Sequence, residues 1–149
     1  MIEVIQVIRP AEMQQVFAIR EAVFVKEQHV RAEDEYDEFE KMSHHFLATY
    51  NGTPCGTARW RTTSYGVKLE RFAVLAPYRG KGVGQALVKA VLDDVFSQQP
   101  EPIESVYLNA QLTAMPLYAR FGFKAVGPQF EECGIQHYKM VLPASSFPA

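Results

Sequence analysis

The stretch LERFAVLAPYRGKGVGQALVKAVLDDVF, Leu69 to Phe96, decides how the rest of the chain is read. Its first seven residues, Leu69 to Leu75, are rich in β-formers and read as a strand. Val83, Leu87, Val88, Val91, Leu92 and Val95 then recur at a helical period. Between them lies RGKGVG, Arg79 to Gly84. A strand, a glycine-rich turn and a helix aim free backbone N–H groups and the positive end of a helix dipole at one spot. Glycines let the backbone approach a bulky anion, and Arg79 and Lys81 add positive charge. A phosphate or pyrophosphate is the guest such a turn suits.

Two better-known glycine loops do not fit. No GxxxxGK followed by Ser or Thr occurs, which removes the P-loop and with it a nucleotide hydrolase. Gly80 and Gly82 could open a dinucleotide fingerprint, but Gln85 stands where its third glycine belongs.

Outward from the loop, the chain alternates in type. Ile2 to Ile8 reads as a half-buried strand, and Pro10 opens a helix with Met13, Val16, Phe17, Val23 and Phe24 on one face. Arg20 interrupts that face and is expected to snorkel to solvent. His45 to Tyr50 and Cys55 to Arg61 read as strands joined at Asn51-Gly52, a hairpin signal. A further strand covers Val67 to Leu75, and the long helix runs to about Phe96. QQPEP, Gln98 to Pro102, reads as a loop, and Ser105 to Ala110 returns as a strand. Strand, crossover helix and strand make a parallel pair with a ligand expected at its carboxyl ends. Thr113 is expected to cap a short helix that Gly122 ends. Phe123 to Glu131 and Ile135 to Leu142 form a closing hairpin, and Pro143 to Ala149 a loose tail.

Composition narrows the classes. At 149 residues the chain is one domain with room for a core. No apolar run approaches the roughly 18 to 20 residues of a membrane span, and the N-terminus lacks a signal-peptide layout. Cys55 and Cys133, without CxxC spacing, are expected as free thiols in a reducing cytoplasm, with no metal site. The net charge of −2 gives no reason to expect nucleic acid. Six of the 17 acids fall between Glu33 and Glu40, which leaves 11 acids against 15 bases elsewhere. That basic remainder suits a polyanionic cofactor. The acidic run is expected as a solvated loop, with attraction of a cationic acceptor as the alternative.

Arg79-x-x-Gly82-x-Gly84 resembles the acetyl-CoA pyrophosphate loop of the GNAT superfamily of N-acetyltransferases. ERFAVLAPYRGKG resembles that family's splayed fourth strand and its exit, and LYARFGF, Leu117 to Phe123, its helix-then-GF segment. VFVKEQ, Val23 to Gln28, and GIQHYKM, Gly134 to Met140, resemble the small bacterial ElaA-like and YjcF-like branch. The resemblance implies an α/β GNAT fold. It would have one mixed sheet of six to seven strands, a splayed parallel pair in the middle and about four flanking helices.

The same resemblance implies an acetyl-CoA-dependent N-acetyltransferase acting on a primary amine, small-molecule or peptide, by direct attack in a ternary complex. The alternative is an acyl-CoA-binding module that kept the loop without the chemistry. Phe72, Ala73, Val74, Arg79, Gly80, Lys81, Gly82, Val83, Gly84 and Asn109 are expected to hold the cofactor. Tyr118 aligns with the family's general-acid tyrosine. Glu70 is the expected base, although other branches carry the catalytic glutamate two residues earlier, where this chain has Lys68. His137 is expected to accept the amine proton or to bind the acceptor, and Glu27, Gln28 and His45 are expected to contact the amine. Small size and a flat closing hairpin suit a homodimer.

Overall fold

The computed structural model describes residues 1–98 and 103–148. The strands are β1 (Ile2–Gln6), β2 (His44–Tyr50), β3 (Thr53–Thr63), β4 (Gly66–Val74), β5 (Val106–Gln111), β6 (Lys124–Glu132) and β7 (Ile135–Leu142). They form one mixed sheet in the order β1-β2-β3-β4-β5-β7-β6. Every pairing is antiparallel except β4 with β5. The β2–β3 turn places Asn51 at φ 49° and Gly52 at φ 85°, the two left-handed positions that a tight hairpin requires.

Four helices cover the sheet: α1 (Pro10–Arg20), α2 (Ala32–Glu35), α3 (Val83–Gln98) and α4 (Met115–Ala119). The α3 face carries the larger core. Val83, Leu87, Val88, Val91 and Val95 are each buried there among Trp60, Leu69, Val106 and Leu108. Full burial of such a side chain contributes about 1.5–3 kcal/mol. On the other face α1 packs Val16 and Ile19 against Leu47 and Ala73.

Helix α1 does not stop at Arg20 but widens into a π-helical segment, Glu21–Glu27, in which the Gln28 N–H donates to Val23 O at 3.0 Å. The wider winding keeps Val23 and Phe24 buried while carrying Glu27 and Gln28 out over the middle of the sheet.

Two features open the sheet at its centre. Strands β4 and β5 pair only from Val67 to Leu69 against Val106 to Leu108, although both run on. In addition, β4 carries one extra residue relative to β3 between Glu70 and Ala73, with Arg71 at φ 60°. This β-bulge bends β4 away from β5 and leaves its edge open toward the gap.

Several expectations are corrected. Arg20 does not snorkel; it is 1% exposed. Thr113 does not cap α4, whose N-cap is Ala114; it lies in a preceding 3₁₀ turn, Leu112–Ala114. The expected loose tail carries local structure within Pro143 to Pro148. Ala144–Ser146 forms a 3₁₀ turn, and Phe147 packs on Phe96 with ring centroids 5.1 Å apart. The expected loop at Gln98 to Pro102 lies outside the described residues apart from Gln98, which ends α3.

Candidate active site

The gap between β4 and β5 opens into two cavities that meet. The first is a groove of about 830 Å³ running from the end of β4 along the glycine loop. Phe72, Ala73, Val74, Arg79, Gly80, Gly82, Val83 and Gly84 all line it. Gly80 and Gly82 have φ of 77° and 91°, and a Cβ on Gly80 would have nothing within 4 Å. The loop is therefore open on its outer side. The α3 ladder starts with Ala86 donating to Gly82 O at 3.1 Å, so the N–H groups just before it have no partner within the helix. Unpaired donors at a helix start, behind side-chain-free glycines, fit the pyrophosphate of a CoA thioester. Gly84 serves packing, since a Cβ there would sit 3.1 Å from Leu117 Cδ2.

The charged residues of the loop behave differently from its backbone. The Arg79 guanidinium is bound to both oxygens of Glu27 at 2.7 and 2.8 Å and donates through Nε to Val74 O at 2.9 Å. Lys81 turns away from the groove, its ammonium 5.5 Å from the Tyr50 ring centroid. Glu27, expected at the amine, lines this groove instead and clasps its loop.

The second cavity, of about 380 Å³, lies on the α1 face of the sheet. Phe24, Val30, Leu69, Leu108 and Ile135 supply apolar wall, and Asn109, expected at the cofactor, opens into it instead. Gln28, Phe72, Gln111, Ala114 and Tyr118 line both cavities and so mark their junction. Gln28 and Gln111 are joined there by a reciprocal amide pair, with N–O distances of 3.3 and 2.9 Å.

Tyr118 is 6% exposed, edge-on to Phe72 with centroids 5.5 Å apart and to Phe123 at 6.2 Å. Burial pushes its phenol well above the ordinary tyrosine range, so it stays protonated. His137 lines the second cavity, stacked on Phe130, with Nδ1 2.7 Å from Ile135 O. A carbonyl can only accept, so Nδ1 carries the hydrogen, and Nε2 is the ring nitrogen left outside that bond.

Glu70 also lines the cavity, but as part of an ion-pair network. Its Oε2 lies 2.6 Å from Arg59 and 2.7 Å from Arg61, and its Oε1 3.4 Å from Lys68 and 3.9 Å from Arg71. Burial pushes the carboxyl up, yet the surrounding cations outweigh it and hold the group below the usual carboxylate range. A carboxylate so held takes up a proton poorly, which argues against the expected base role.

Half of the acidic run, Glu35, Asp37 and Glu40, belongs to the same network, while Glu33, Asp34 and Glu38 stay exposed as expected. Arg20 binds Glu35 at 2.6 Å and Glu40 at 2.8 Å, and Arg59 binds Asp37 at 2.6 Å and Glu40 at 2.8 Å. Arg71 reaches Glu35 at 3.3 Å and Asp37 at 3.2 Å. Both Asp37 and Glu40 sit below the usual range because these arginines outweigh burial. His45, expected at the amine, lines neither cavity. Its Nε2 donates to Glu40 O at 2.7 Å, and burial lowers its pKa.

Sequence reasoning missed Gln111, Arg59, Arg61 and Arg71 at this site. For Gln111 a signal was present: strand alternation puts it on the same face as Asn109, one step nearer the carboxyl end. Arg59 and Arg71 gave none, because their partners in the acidic run lie 19 to 37 residues away in a stretch that reads as solvated, and Arg61 meets Glu70 only across the ladder. Among the described residues, no group of three or more His, Cys, Asp or Glu is arranged to hold a metal ion.

Comparison with known proteins bears on the same architecture. A family profile described as an acetyltransferase (GNAT) domain matches residues 7–144. N-acetyltransferase YjcF of Bacillus subtilis, itself uncharacterized, is 38% identical over 135 residues, covering 87% of this chain and 91% of that protein. The crystal structure of Escherichia coli ElaA superposes with a TM-score of 0.82 at 28% identity, covering 96% of this chain and all of the other. An acyl-CoA N-acyltransferase from Pseudomonas aeruginosa shares the fold at 24% identity and the same TM-score, with 96% of this chain covered and all of the other. Glycine loop, splayed strands and relatives agree: the chain is an acyltransferase of the GNAT acetyltransferase family, in the branch of ElaA and YjcF.

Proposed function

We propose that this protein transfers an acetyl group from acetyl-CoA to a primary amine, by direct attack of the amine while both substrates are bound. The observation that carries the reading is the junction: a donor groove and an acceptor cavity meet at five shared residues, with Tyr118 among them. The glycine loop would receive the pyrophosphate, and the open edge of β4 at Phe72 to Val74 the pantetheine arm.

Each chemical need then has a candidate. An alkylamine titrates near ~10 and must lose its proton before attack. His137 Nε2, in the acceptor cavity and free of Nδ1's hydrogen bond, is the acceptor of that proton. As the thioester breaks, its sulfur takes the electron pair, and Tyr118 donates a proton to it. A phenol is ordinarily a weaker acid than a thiol, which titrates near ~8.5. A thiolate leaving into the same buried junction is desolvated too, which raises its proton affinity and favours the transfer.

Cys133 lines the acceptor cavity, but burial, Asp34 and Glu132 push its thiol up, so it is not poised as a nucleophile for an acyl-enzyme. Both cysteines are free, in keeping with a reducing, cytoplasmic setting.

Release of free CoA thiol from acetyl-CoA in the presence of amines tests the proposal. Tyr118→Phe is expected to lower kcat on the order of 10²-fold with acetyl-CoA affinity retained. Unchanged turnover in that variant at every pH would remove Tyr118 as the acid. Tight acetyl-CoA binding with no thiol release from any amine would favour a binding module instead.

A further inference from the structure

Beneath the acceptor cavity the ion pairs do not balance. The linked network holds five cations, Arg20, Arg59, Arg61, Lys68 and Arg71, against four carboxylates, Glu35, Asp37, Glu40 and Glu70. His45 adds no charge at neutral pH, since its pKa is lowered.

The surplus has a location. Arg20 and Arg59 are buried and each bind two or more carboxylates, and Arg71 reaches three. Arg61 and Lys68 share Glu70 alone, and both line the cavity. They are direct neighbours across the β3–β4 ladder. Arg61 is further committed, its guanidinium carbon 3.9 Å from the Phe39 ring centroid. Lys68 is not: among the described residues its three N–H donors have one ionic contact, at 3.4 Å, to a carboxylate whose other oxygen already serves two arginines. A half-buried ammonium so under-partnered, in a cavity, is a receptor for an anion.

Carboxylates line the same cavity as well, among them the exposed Asp34 and Glu132, so its field also attracts the ammonium group of an entering amine.

We infer that the amine acceptor is itself an anion-bearing molecule, an amino acid or a phosphorylated amine, whose carboxylate or phosphate is held by Lys68 while its amino group faces the junction. This rests on the acetyltransferase reading above and names the acceptor class for that site. A cavity of about 380 Å³ has room for a molecule of that size with its side chain. Peptide acceptors, whose reacting residue's carboxyl is an amide, would bring Lys68 no anion beyond Glu70.

The test is thiol release with the full chain and acetyl-CoA across matched acceptors. Amino acids and O-phosphoethanolamine are compared with the corresponding amino-acid amides and with ethanolamine. The anionic members are expected to show kcat/KM higher on the order of tenfold or more, chiefly through KM. In Lys68→Met that ratio is expected to fall close to one, and in Lys68→Arg to persist. Preference for amino acids alone or for the phosphate alone identifies which anion is received. Amides turned over as fast as acids, or a preference that survives Lys68→Met, would overturn this inference and leave the acetyltransferase reading intact. Absence of turnover with every amine would overturn both.

Discussion

Arg79 and Arg59 both make short ion pairs beside the reaction centre, and the two arrangements have little else in common. Arg79 clasps Glu27 across the donor groove with both side chains more than 40% exposed. Arg59 is fully buried among Asp37, Glu40 and Glu70 beneath the acceptor cavity. In the first case water screens the charges and competes for the bonds, so the pair contributes little. In the second, removing one partner leaves several charges in a medium that solvates them poorly. The donor side is thus built from backbone, with charge as an accessory. The acceptor side is built from charge.

That contrast can be broken at three points. Arg59→Ala should cost the most, about 3–5 kcal/mol of stability, because three carboxylates lose a shared cation. Denaturant unfolding reads it, and a loss below about 1 kcal/mol would show that the network is not structural. Gly82→Val comes next. Its φ of 91° strains any branched residue by roughly 1–3 kcal/mol, and its side chain would stand where the backbone meets the anion. Acetyl-CoA affinity measured by calorimetry should fall by tenfold or more, with acceptor preference unchanged among the amines still acetylated. Glu27→Gln should have the smallest effect, within about 1 kcal/mol of wild-type stability by thermal unfolding. A larger loss would mean that the clasp, not the backbone, holds the loop in place.

The asymmetry also explains what could be read in advance. The glycine loop, α3 and the parallel pair come from contiguous residues with strong local signals: period, glycine spacing and β-formers. The glycine-loop wall of the first groove therefore followed from a segment of 28 residues, Leu69 to Phe96. Tyr118 came from a family resemblance rather than from its surroundings. Within Glu33 to Glu40, Glu35, Asp37 and Glu40 were misread because charge density in sequence resembles a solvated loop whether or not cations await it in space. Arg20 failed for the same reason. A helix period shows that it faces inward but not that Glu35 and Glu40 fold over it. Glu70 illustrates the consequence: strand parity placed it at the cavity, and only its four cationic neighbours showed how firmly its charge is held.

By itself, the sequence determined the order of elements, the parallel pair, and a glycine-rich strand–turn–helix at residues 79–84 of the kind that suits an anion. Each depends on conformational preferences that act over a few consecutive residues. Tertiary structure alone decided the gap between β4 and β5 and the meeting of two cavities at Gln28, Phe72, Gln111, Ala114 and Tyr118. It also decided the network that leaves Lys68 with a single shared partner. Those features require residues far apart in the chain to come within a few ångströms, and Coulomb interactions and desolvation act on that separation rather than on position in sequence.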